Sequence, residues 1–134
     1  MTPFPLKIVT PDGLIFDGEA EELLVRTNCG DVGILAGHIN YVAALGMGRA
    51  VVVSKGTRRT AACIGGMLSV VNGSVTLVPT TFEWAESIDV ERAEASRQKA
   101  DRILRSKDAS DTDLRLAEAR LRRALVRKSV AGGQ

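Results

Sequence analysis

The chain changes character at Ser87, where glycines and aromatic residues stop and charged residues crowd together. Residues 1–87 hold eleven of the thirteen glycines, every proline and every aromatic residue, with six basic groups against eight acidic ones. Residues 88–134 carry twelve basic and eight acidic groups, and their only glycines are Gly132 and Gly133. That second composition suits helix and not sheet. The chain is therefore expected to fold as α+β in two parts, a β-domain over residues 1–86 and a helical segment over residues 87–134.

The first part reads as short strands separated by strong turn signals. Phe4, Leu6 and Ile8 alternate with Pro5, Lys7 and Val9 before Pro11-Asp12-Gly13, where proline presets φ and glycine accepts a positive φ. Residues 14–17, 21–27, 49–54, 58–63, 67–71 and 74–78 follow as strands, with Lys55-Gly56 and Asn72-Gly73 at hairpin positions. Gly65-Gly66 reads as a bend between two of them. Many short strands at this spacing predict an antiparallel sandwich or flattened barrel.

In the second part the hydrophobic period becomes helical. Ala93, Ala100, Ile103 and Leu104 recur along one stripe, and Leu114, Ala117, Leu121, Ala124 and Leu125 along another. Between them Ser110-Asp111-Thr112-Asp113 matches a capping box. Two antiparallel helices joined by a loop near residues 106–110 are expected.

Little in the chain supports catalysis. There is one histidine, no defensible nucleophile and base spacing, and no glycine-rich phosphate loop. Gly46-Met47-Gly48 precedes a strand and not a helix, so it fails as a dinucleotide fingerprint. Cys29 and Cys63 form the only disulfide the sequence allows, but their spacing matches no metal site and buried thiols are the better reading. No run approaches the ~18 apolar residues of a membrane span, so membrane association is expected only through a partner. Glu19, Glu21 and Glu22 read as a charged strand edge.

The most distinctive stretch is GDVGILAGH, residues 30–38, three glycines and Asp31 around Val32, Ile34 and Leu35. It is either a glycine-rich loop with apolar plugs into the core or a loop that exposes Ile34 and Leu35 for docking. Together with Val9-Thr10-Pro11-Asp12-Gly13, then Gly65-Gly66-Met67-Leu68-Ser69-Val70, then Ile88-Asp89-Val90-Glu91-Arg92-Ala93, it closely resembles the epsilon subunit family of bacterial F-type ATP synthases. The resemblance covers essentially the whole chain. Ala36 stands where that family usually has proline.

The resemblance implies a sandwich of about ten strands and a hairpin that folds down or extends. It also implies a non-catalytic regulatory and coupling role in the central stalk of a proton-translocating synthase, at the cytoplasmic face of the inner membrane. Asp31, Ile34, Leu35 and His38 would contact the c-subunit ring or the gamma subunit. Arg115, Arg122, Arg123 and Arg127 would meet an acidic surface of the catalytic beta subunits and inhibit hydrolysis.

No cofactor is required, but ATP enters as a regulatory ligand. Ile88, Asp89, Arg92 and Ala93 match the family's nucleotide motif, and Arg92 offers a forked donor to phosphate. Glu83 and Asp89 suit the adenine amine or ribose hydroxyls. Arg123 and Arg127 match arginines that close such sites, and Lys99 stands where a relative has arginine. Without the resemblance, Asp89 caps a helix and Arg92 pairs with Asp89 or Glu94. Two other readings stand beside it. One is a basic nucleic-acid-binding module, opposed by the interleaved acids and missing aromatics. The other is a free-standing small-ligand-binding protein.

Overall fold

The computed structural model describes residues 1–133. Eight strands appear among them: β1 (Phe4–Thr10), β2 (Gly13–Ala20), β3 (Glu22–Thr27), β4 (Gly30–Ile34), β5 (Tyr41–Ala44), β6 (Met47–Ser54), β7 (Thr57–Val71) and β8 (Ser74–Trp84). Two helices follow, α1 (Val90–Arg105) and α2 (Asp111–Ala131). Met1–Trp84 forms one compact unit and the chain from Ala85 onward another.

In the first unit the strand order is β2-β1-β8-β7-β6-β3-β4, with β5 also paired to β7. Every pairing is antiparallel except β1 with β8. Alternation explains the core: Phe4, Leu6 and Ile8 of β1, Leu23 and Val25 of β3, and Val75 and Leu77 of β8 all point into one buried cluster. The Lys55-Gly56 and Asn72-Gly73 hairpins have left-handed backbone at both turn residues, as the expected two-residue turns require.

About ten strands were expected and eight are present, because Gly65-Gly66 does not end a strand. β7 runs unbroken for 15 residues. Its residues 57–64 pair with β6, its residues 67–70 pair with β5, and β8 follows it along the other edge in constant register. At the glycine pair the positions that β7 gives to the core cluster change parity, from Ala61 and Cys63 to Leu68 and Val70. β7 and β8 thus each serve both halves of the sandwich, joined through a bend. Gly66 is where the backbones crowd: its φ is +98°, and a Cβ there would stand 2.0 Å from the Val78 carbonyl oxygen.

In the second unit both helix starts are built as the sequence implies. The Asp89 carboxylate accepts the Arg92 backbone N–H at 3.0 Å. The Ser110 hydroxyl accepts the Asp113 N–H at 3.1 Å while Asp113 accepts the Ser110 N–H at 3.4 Å. Ala93, Ala100, Ala117 and Ala124 are buried where the helices meet. Leu125, placed on the apolar stripe by its spacing, is instead exposed, and Val130 is buried without having been marked by that stripe.

Candidate functional site

A threonine closes the β3–β4 turn. The Thr27 hydroxyl accepts the Cys29 N–H at 3.1 Å and donates to the Gly30 carbonyl at 2.8 Å. Thr10 makes the same pair of bonds with Asp12 and Gly13 in the β1–β2 turn, a local device that threonine supplies in tight turns. The turn sets Asp31 directly opposite Arg26. Arg26 Nε donates to Asp31 Oδ1 at 2.7 Å, and Nη2 lies 3.4 Å from Oδ2. The Asp31 carboxylate so held raises the Arg26 pKa above its ordinary value.

The loop expected over residues 30–38 is therefore half strand. Glycines at 30 and 33 hide the alternation that would have marked β4. Ile34 is buried to 1% exposure and belongs to the core, so it offers no docking surface; Leu35 is 49% exposed and does. The His38 backbone N–H donates to the Leu35 carbonyl at 3.2 Å. His38 Nδ1 lies 2.8 Å from the Ile39 carbonyl oxygen, and its ring stands edge-on to Tyr41. Ile39 and Val42, which periodicity did not single out, are the most exposed apolar residues of this stretch.

Cys29 is exposed, contrary to the buried-thiol reading, whereas Cys63 is buried. Desolvation pushes the Cys63 thiol up to about 12. Glu21 does not stand on a bare edge: its carboxylate accepts the Gly56 N–H at 2.8 Å and tethers the β6–β7 turn.

Helical spacing sorts the hairpin's charges onto two flanks of its alanine seam. On one flank Glu94 accepts from Arg97 Nη2 at 2.6 Å and Nε at 3.0 Å, and pairs across the seam with Lys128. Asp101 and Arg105 form an ion pair at 3.3 Å on the same helix. The opposite flank is marked by a groove of about 490 Å³ that Ile103, Leu116 and Arg120 help to line. Lys99 and Arg92 lie one and three turns back from Ile103, and Arg123 and Arg127 two and three turns on from Leu116. Those four cations thus share one flank.

The remaining candidates fall elsewhere. Arg115 and Arg122 are exposed on the outer face of α2, two turns apart. Ile88 and Ala93 are buried, so they supply packing to the motif. Glu83 lies on β8. Arg92 does not pair with Glu94, which Arg97 and Lys128 already occupy.

The Arg97 and Lys128 partnership holds the Glu94 carboxyl down at about 2, from an ordinary 4.5. The unfolded hairpin therefore takes up this proton first, and the contribution of Glu94, full above pH ~4.5, is lost as pH falls toward ~2. Amide hydrogen exchange of α2 is expected to accelerate across that window, and Glu94→Gln is expected to remove this step. The same profile in the variant would show that the bridge does not hold the helices.

Comparison with known proteins covers both units. Residues 3–85 match the family described as ATP synthase, Delta/Epsilon chain, beta-sandwich domain, and residues 86–132 match ATP synthase, Delta/Epsilon chain, long alpha-helix domain. The chain is 41% identical over 132 residues to the ATP synthase epsilon chain of Ruminococcus albus, covering 98% of each. It is 45% identical over 132 residues to that of Bacillus subtilis, covering 98% of this chain and 99% of the relative. A chain in the Euglena gracilis mitochondrial ATP synthase, OSCP/F1/c-ring, has the same fold, with TM-score 0.85 and 23% identity over all of this chain and 83% of the other.

Proposed function

This chain belongs to the ATP synthase epsilon chain family, and from that premise we propose that it is a regulatory and coupling subunit of the central stalk, switched by ATP on its hairpin. Membership makes it a non-catalytic subunit. In the proposed reading the sandwich docks through Asp31, Leu35 and His38 onto the c ring and the gamma subunit, at the cytoplasmic face of the membrane. The hairpin engages the catalytic beta subunits through Arg115 and Arg122, with Arg123 and Arg127, when it opens. No helix among the described residues is long and apolar enough to cross a membrane, and attachment through the complex answers that.

The observation that carries the regulatory half is the shared flank of Arg92, Lys99, Arg123 and Arg127. The free amides and positive dipole end of α1 lie beside Arg92. At 1.5 Å rise per residue Lys99 stands roughly 10 Å further along, a span that suits a triphosphate. ATP lying there would hold α1 and α2 together and so oppose the open form, because a ligand favours the state that contains its site. The nucleic-acid reading is weaker, since on the opposite flank Arg97, Lys128 and Arg105 are already paired to carboxylates.

Calorimetric titration of the full chain with ATP tests this. Binding is expected below millimolar nucleotide, and Arg92→Ala is expected to weaken it about tenfold by removing a charge-assisted fork. No heat at millimolar ATP, or equal binding by the variant, reduces the motif to a helix start.

A further inference from the structure

The Gly46-Met47-Gly48 fragment leads into β6, whose first residues are Met47 and Gly48, and both glycines are required by what lies over them. A Cβ at Gly48 would stand 2.7 Å from Arg26 Cβ and 3.1 Å from Arg26 Cγ. One at Gly46 would stand 3.3 Å from Arg26 Cγ and 3.1 Å from the Thr27 carbonyl oxygen. Neither glycine has a positive φ, so the need is for a missing side chain and not for backbone freedom. The Gly46 N–H also donates to the Arg26 carbonyl at 3.0 Å. The two glycines make a shallow trough, and the stem of Arg26 lies in it.

We propose that Arg26 is a positioning residue for Asp31: the glycine trough fixes its stem, and its fork orients the Asp31 carboxylate at the β3–β4 tip for docking on the c ring. This rests on the reading of that tip as a ring contact. An exposed ion pair adds little to folding stability. Its effect here is geometric, because a carboxylate already held by a fork loses less freedom when a partner takes its remaining lone pairs. It also presents a paired acid in place of a bare charge, so docking gains its register from direction and depends less on salt.

The test adds the full-length chain back to an ATP synthase stripped of this subunit, and follows the Arg26 Nε–H resonance in the free chain. Arg26→Ala is expected to weaken docking roughly fivefold, to the level of Asp31→Asn, with no further loss in the double variant. Arg26→Lys is expected to restore part of it, since lysine keeps the charge without the fork. Gly48→Ala is expected to behave like Arg26→Ala by displacing the stem, with the melting temperature of Arg26→Ala unchanged as the control that folding is intact. The Nε–H resonance is expected to lose its exchange protection in Asp31→Asn. If Asp31→Asn docks as wild type does, the ring contact itself is wrong and the proposal falls with it. If Asp31→Asn fails while Arg26→Ala docks normally, the ring contact stands and the positioning role alone is overturned.

Discussion

Removing residues 87–134 is expected to raise ATP hydrolysis by the assembled complex on the order of fivefold or more at low salt, and by less at high salt. Arg115 and Arg122 are exposed on the outer face of α2, where the carboxylates that neutralise Arg97, Lys128 and Arg105 do not lie. On the proposed reading, a cationic face inserted against an acidic surface of the catalytic subunits would resist rotation through attraction that salt screens within about 10 Å at 0.1 M. The charge variant Arg115→Gln with Arg122→Gln is expected to reproduce most of the low-salt effect. Hydrolysis unchanged by truncation at both ionic strengths removes the inhibitory role. A salt-independent rise places the inhibition in packing and not in charge.

Gly66→Ala is expected to cost about 4 kcal/mol or more, a large part of the stability of a domain this size. Two independent penalties meet at this residue. Its φ of +98° is one that side chains rarely adopt, and a Cβ would overlap the Val78 carbonyl at 2.0 Å, with Pro79 Cα at 2.6 Å. Both obstacles are backbone, so no side chain can swing aside. Gly65→Ala is expected to cost less, about 1–2 kcal/mol, because its nearest neighbour is the Thr80 hydroxyl at 3.1 Å. Gly33→Ala is expected to be close to neutral, having open space and no positive φ. Urea unfolding of the three variants checks the order. A mild Gly66→Ala would mean that β7 and β8 separate easily at the bend.

The features legible in the sequence are those written in short-range chemistry. Asn72-Gly73 announces a two-residue turn because both residues accept left-handed backbone, and in Lys55-Gly56 the glycine gives the same signal. Ser110 and Asp113 announce a helix start because they satisfy each other's amides. The alanine stripe fixed the helix pair, since its period is local. What escaped depends on register between distant segments. Arg26 meets Asp31 only because Thr27 sets the turn, and Glu94 meets Lys128 only because α2 runs back along α1. The glycines of residues 30–38 concealed a strand, because glycine neither alternates in hydropathy nor favours extended backbone. Gly46-x-Gly48 is a failed ligand motif in sequence, and its reason lies in Arg26, a side chain of β3 that packs over it.

The unequal environments of the two thiols have a practical side. Cys63 is buried and protonated far above neutral pH, so an electrophile in solution meets neither access nor thiolate there. Cys29 is exposed in the β3–β4 turn, two residues from Asp31. The unmodified polypeptide therefore carries one addressable attachment point for a fluorophore or spin label, and a probe placed there reports on the surroundings of the β3–β4 turn without engineering a single residue.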